Sequence, residues 1–259
     1  AYMPIHGYDQ ETWEWEDFKP QNWWNQGHSD HAGYGHSAPG WSVKLANRVH
    51  GDLWLNVPHQ ATDDCVTRLA ELMRDSLLPD LKVYVEYSNE CWNWAYPWAI
   101  QAGYCTQMAQ TVGLPGGGPA EYYTYRSAQI WQIFDEVFGA QKARVRKVLA
   151  WQCGTNFSWH FDILDTPQWN PNDQQPDVCA IAPYVHNGGD DAIPISQVTV
   201  EQFLDRAITE LLPGLRTRIQ SSASAASARG CLLGAYEANQ HFHSDVQQAY
   251  DYYISAKRP

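Results

Sequence analysis

Two glutamates stand where apolar runs end. Glu90 closes the run Val83-Tyr84-Val85-Glu86-Tyr87-Ser88-Asn89-Glu90, and Glu237 closes Gly234-Ala235-Tyr236-Glu237. Two carboxyl groups facing one ligand are the usual equipment for glycoside hydrolysis. One holds a proton at working pH while the other stays ionised, and burial and neighbouring charge divide their pKa values. The two positions are far apart in sequence, so only a fold can unite them. Taken singly, a glutamate after a strand is more often an ordinary loop carboxylate in an ion pair; two of them on separate strands reverse that balance. The other apolar runs end in groups able to hydrogen-bond: Pro58-His59, Trp151-Gln152, Tyr184-Val185-His186 and, beyond Glu237, Asn239.

The elements that must position these residues read as alternating strands and helices. Strands are expected at 52–57, 81–87, 144–151, 178–183 and 231–236. Helices are expected at 42–49, from Thr62 to about Leu77, at 96–110, from Pro119 to Phe138, at 157–164 and after Thr199. Thr62 is an N-cap with Asp63 and Asp64 in the first turn, and Thr199-Val200-Glu201-Gln202 is a capping box. The helix after Thr199 shows the stripe Leu204, Ile208, Leu211, Leu215, Ile219. Residues 221–228, rich in Ser and Ala, read as a linker, and the chain from Ser244 reads as a terminal helix. Gly116-Gly117-Gly118 lacks the Lys-Ser/Thr ending of a phosphate cradle and reads as a plain connection. Alternation of this kind means parallel βαβ units, as a barrel or a doubly wound sheet. In both, functional side chains gather at the carboxyl ends of the strands.

At this point a resemblance is specific. The run ending in Asn89-Glu90 resembles the fourth strand of clan A glycoside hydrolases, which are retaining enzymes on a (β/α)8 TIM-type barrel. The run ending in Glu237 resembles their seventh. The resemblance implies that Glu90 is the acid/base, Glu237 the nucleophile and Asn89 a partner of the sugar 2-hydroxyl. It further implies that Tyr184 and His186 lie near the nucleophile and that His59 binds substrate. Trp92 and Trp151 are expected near sugar rings. The match covers roughly residues 42–258 and corresponds to strands three to seven. Residues 1–259 are therefore expected to form a single glycosidase-like barrel domain, incomplete because its first and last strands have no candidate. Ala1 to Ile5 could end strand two, and a missing segment or a second chain would complete the barrel. The implied reaction is retaining hydrolysis of a β-linked poly- or oligosaccharide, with no cofactor and no metal.

Composition narrows the field. With Lys+Arg 17 against Asp+Glu 29, the formal charge is −12, which argues against a nucleic-acid binder or an anionic membrane surface. No apolar run approaches the ~20 residues that span a bilayer. Thirteen Trp and 15 Tyr help bring aromatic residues to 14 %, a supply of flat amphipathic platforms suited to sugar rings or a crowded aromatic core. Six Cys without a C-x-x-C pair argue against a zinc ribbon, and Cys179 and Cys231 sit in apolar runs as buried thiols. Acidity and aromatic content favour a secreted protein, while the sequon Asn156-Phe157-Ser158 is a three-residue match of a kind that arises often by chance.

Other residues carry competing readings. Glu86, four before Glu90 and on the same strand face, is expected to support the site from within. His28, Asp30, His31 and His36 form a loop whose spacing fits no metal signature, but a metal-dependent hydrolase built on it is a distinct alternative. A non-catalytic carbohydrate-binding protein on a glycosidase-like scaffold is another. No Gly-x-Ser-x-Gly nucleophile elbow is present.

Overall fold

The computed structural model describes residues 12–22, 37–95, 98–186 and 199–241. The expected strand at Ala1 to Ile5, the His28–His36 loop and the terminal helix lie outside them. The fold is α/β, with five parallel strands alternating with helices. The chain forms two compact units: residues 1–151 with 157–179, and residues 152–156 with 180–259.

The first unit contains β1 (Leu53–Val57), β2 (Val83–Tyr87), β3 (Val145–Trp151) and the start of β4 (Val178–Ile181). Its helices are α1 (Pro39–Val49), α2 (Asp63–Ser76), α3 (Ala99–Val112), α4 (Pro119–Phe138) and α5 (Ser158–Leu164). Register runs Leu53↔Val83 to Val57↔Tyr87 between β1 and β2, and Val83↔Val145 to Glu86↔Val148 between β2 and β3. Strand order follows chain order, β1-β2-β3-β4, with no reversal.

Local chemistry explains the boundaries. The Thr62 hydroxyl accepts from the Cys65 N–H, capping α2 as expected. Pro119 opens α4, and Gly139 at φ 51° ends it. Along α4, Tyr123, Ser127, Ile130, Trp131, Phe134 and Phe138 are all buried. This one stripe carries much of the unit's core, since each large apolar side chain contributes about 1.5–3 kcal/mol on full burial.

Side chains alternate along each strand, which gives the sheet two unlike faces. One face meets α4. Tyr87 packs tilted against Tyr123 at 5.7 Å, and Lys147 on β3 pairs with Asp135 of α4 at 2.7 Å. The opposite face carries Trp54 and Asn56 of β1 and Tyr84 and Glu86 of β2, with the Trp54 and Tyr84 rings stacked at 5.6 Å and 3°.

The second unit holds the end of β4, β5 (Val185–His186), α6 (Val200–Arg206), α7 (Leu212–Ala228), β6 (Leu232–Ala235) and β7 (Gln240–His241). β6 follows β4 in the order of the five-stranded sheet, and β5 pairs with β7 in parallel. The Thr199 capping box forms as expected, with Gln202 Oε1 accepting from the Thr199 N–H.

Two expectations fail here. Residues 221–228 are not a linker but the end of α7, with Ser222 and Ala226 fully buried. Alanine is the best helix former, and its small size lets a neighbour approach closely. The stripe from Leu204 to Ile219 does not share one face: Leu215 is buried, whereas Ile208 is 62 % exposed. The cause is a π-turn at Ala207–Leu211. Pro213 has no N–H for the carbonyl four residues back, and its ring crowds that carbonyl. The ladder widens by one residue, and the face turns. Phe203 and Ala207 are buried instead.

Candidate functional site

In the first unit the polar groups gather at the carboxyl ends of β1 and β2. The ladder continues one step past β2, where the Ser88 N–H donates to the Val57 carbonyl at 2.7 Å. The chain then turns sharply. Ser88 has φ 56° and Glu90 φ 51°, so two non-glycine residues in the left-handed region flank Asn89. Each such residue carries a cost of roughly 1–2 kcal/mol, which the surrounding contacts must hold down.

Those contacts form a buried polar floor. Asn56 Nδ2 donates to the Ser88 carbonyl at 2.6 Å, and the Ser88 hydroxyl donates to Gln101 Oε1 on α3. Trp54 Nε1 donates to Glu86 Oε2 at 2.7 Å. Asn56, Glu86, Ser88, Asn89 and Gln101 are each at most 3 % exposed. Sequence reasoning passed over Asn56 and Gln101. The available signal was a lone amide inside the apolar run Leu53–Val57.

Glu90 is buried at 9 % exposure, and its Oε2 accepts from Asn93 Nδ2 at 2.9 Å. Asn93 also donates its backbone N–H to the Glu90 carbonyl, closing a small loop around the carboxyl group. Asn89 Nδ2 is buried without a hydrogen-bond partner, as are Trp92 Nε1 and His59 Nε2. Burial pushes the His59 imidazole down to about 4, so it is neutral at pH 7 and Nε2 is a single donor or acceptor. Tyr87 holds the loop by donating to the His59 carbonyl at 2.7 Å, and Tyr104 meets the His59 ring edge-on at 5.3 Å. Asn89, Glu90, His59 and Trp92 thus lie on the two loops that leave β1 and β2.

Glu86 lies beneath them. Burial pushes its carboxyl up to about 8. The hydrogen bond from Trp54 and the contact with Asn56 oppose the rise, and the charge of Glu90 adds to it. Trp151 is elsewhere: it is 6 % exposed, on the helix-facing side of β3, between Tyr123 at 5.6 Å and His160 at 4.6 Å. Its ring is part of the core, so nothing supports it as a platform for sugar. Trp94 is the exposed tryptophan of the loop, at 60 %.

In the second unit, Glu237 follows β6 by two residues and is exposed. The Tyr236 N–H donates to the Ile181 carbonyl at 3.2 Å. The Val185 N–H donates to the Asn239 carbonyl at 2.9 Å, and His186 pairs with His241 along the short β5–β7 ladder. The segment carrying Tyr184 and His186 therefore runs beside the one that follows Glu237. Tyr184 is half-buried, and the His186 side chain lies outside the description.

Trp13 is buried, makes a parallel bridge to Ala61 and packs edge-on against Phe18 at 5.8 Å, as does Trp15 at 5.7 Å. Among the described residues no three of His, Cys, Asp or Glu gather as metal ligands would, and no helix is long and apolar enough to cross a membrane. Comparison of the chain with protein-family models, curated proteins and solved structures finds no match.

Proposed function

We propose that this chain is a retaining β-glycoside hydrolase acting on a poly- or oligosaccharide, and that its strands belong to a partial (β/α)8 barrel. Sequential strand order supports the barrel, because a doubly wound sheet reverses its order at the point where ligands bind. The observation that carries the function is the turn after β2. Asn89 and Glu90 are buried there between left-handed residues, with an unpaired amide beside a carboxyl group. Strain of that kind is held at sites that need a fixed side-chain direction.

In this reading Glu237 attacks the anomeric carbon and Glu90 protonates the departing oxygen. The glycosyl–Glu237 ester then breaks down as Glu90 takes a proton from water. Asn89 Nδ2 and His59 Nε2 are the free groups that a sugar hydroxyl would satisfy, and Trp92 Nε1 is a third donor. Tyr184 and His186 orient the nucleophile. The reaction needs no cofactor, and the protein acts outside the cell. Retention requires the two carboxyl groups about 5–5.5 Å apart.

The exposure of Glu237 favours a second reading, a carbohydrate-binding protein without catalysis, because a solvated carboxylate is a poorly directed nucleophile. Sugar release from β-glucans, mannans and galactans separates the two. The wild type is expected to release reducing ends, and Glu90→Gln to lose about 10²–10⁴-fold in rate. Equal release by wild type, Glu90→Gln and Glu237→Ala would defeat the enzyme reading.

A further inference from the structure

We propose that Glu86 carries a proton at rest, donated from Oε1 to Asn56 Oδ1, and that through this bond it positions the turn bearing Asn89 and Glu90.

Donors are too few for the buried acceptors around Glu86. Asn56 and Glu86 are directly paired across the β1–β2 ladder, so their side chains share a face about 4.8 Å apart. Asn56 Nδ2 donates to the Ser88 carbonyl at 2.6 Å, which fixes the amide orientation. Turning it over would set two acceptor oxygens against each other. Asn56 Oδ1 is then an acceptor, and it is buried without a partner. Glu86 Oε2 is occupied by Trp54 Nε1 at 2.7 Å, and Glu86 Oε1 is also buried without a partner. Two orphaned acceptors on paired residues are satisfied together by one proton. An ionised Glu86 has no proton to give Asn56 Oδ1, which would stay unpaired.

The surroundings agree. Trp54 and Asn56 face Glu86 from β1, and Tyr84 lies beside it on its own face of β2. Among the described residues Glu90 is the charged group that acts on it. When Glu90 is ionised its charge disfavours a second anion, and burial at 1 % exposure disfavours an anion at Glu86 in either state of Glu90. The bond ties a strand residue to Asn56, Asn56 to the Ser88 carbonyl, and Ser88 to Gln101 of α3. Ser88 is the first left-handed residue of the turn. Glu86 is thus a positioning residue. Its link to catalysis rests on the glycosidase reading, but its protonation does not.

Two measurements on the whole chain test this. Infrared difference spectra across a step from about pH 6 to about pH 9 should show loss of one protonated-carboxyl band with a midpoint near 8, absent from Glu86→Gln. In urea unfolding, the unfolding constant of the wild type relative to Glu86→Gln should rise about tenfold per pH unit from 4.5 toward about 8, then level. Gln keeps an N–H for Asn56 Oδ1 and an oxygen for Trp54, so it should restore the turn, whereas Glu86→Leu should not. Absence of the band, or wild-type and Glu86→Gln stabilities that run parallel from about pH 5 to about pH 9, would overturn the proposal. Should Glu86→Gln not fold, the wild-type infrared titration decides alone. A chain that shows the band but cleaves no glycan keeps this proposal and loses the glycosidase reading.

Discussion

Replacing Glu90 by alanine and by glycine should reverse the usual ranking of those two residues. At an ordinary position glycine is less stable than alanine by roughly 0.5–1 kcal/mol, because the unfolded chain has more freedom to lose. Glu90 has φ 51°, where any Cβ meets the following carbonyl at a cost of about 1–2 kcal/mol. Both variants lose the Asn93–Glu90 hydrogen bond equally, so it cancels in the comparison. The difference leaves Glu90→Gly more stable than Glu90→Ala by about 0.5–1 kcal/mol, or roughly 2 °C in Tm for a chain of this size. Urea unfolding of the two variants at one pH reads it. The matching pair at Gln107, exposed on α3, should show the ordinary order. If Glu90→Ala equals or exceeds Glu90→Gly, the turn is not held against strain. The physical reason for singling out Glu90 is then lost.

Two further outcomes follow from burial. His160 Nδ1 lies 2.6 Å from Thr124 Oγ1, whose own hydrogen goes to the Ala120 carbonyl, so His160 donates from Nδ1. Burial pushes that imidazole down to about 3. The unfolded chain therefore binds the extra proton first, and the stability held above pH 6.5 is lost as pH falls toward 3, by up to about 5 kcal/mol. His160→Gln should flatten this acid limb in urea titrations, and an unchanged limb would show that His160 is not its source. Among the thiols, Cys153 is half-exposed and the other five are buried, with Cys65 pushed up to about 12 chiefly by burial. A thiol reagent at neutral pH should modify Cys153 first in the folded chain and all six after unfolding. Early loss of several thiols would contradict the packing.

Much of the fold was legible because its signals are local. Thr62, Pro119, Gly139 and the Thr199 capping box each act within one turn of their own position, and the apolar runs marked the strands within about two residues. The second half of the long helix was not legible. Whether Ser and Ala form a linker or a helix depends on what Ser222 and Ala226 pack against, whereas the π-turn had a local signal, Pro213, which the reading of one continuous stripe passed over. The same divide holds at the site. Asn89 and Glu90 were visible as polar residues ending an apolar run. Strand parity decides that Trp151 faces the helices, and that follows only from the register of β3. The buried bonds of Asn56 and Gln101 join residues many positions apart, which no short window contains.

The glycosidase reading assigns a covalent bond to one atom group, the Glu237 carboxylate, and that bond can be looked for directly. The chain is incubated with activated 2-deoxy-2-fluoro glycosides of the gluco, manno and galacto series, then digested and mapped by mass spectrometry. The expected result is one glycosyl adduct on the peptide containing Glu237, absent from Glu237→Ala and longer-lived in Glu90→Gln, because the activated leaving group departs without acid help while breakdown of the ester still needs the base. A chain that cleaves β-glycans yet carries its adduct on another residue, or carries none with any of the three sugars, contradicts the account.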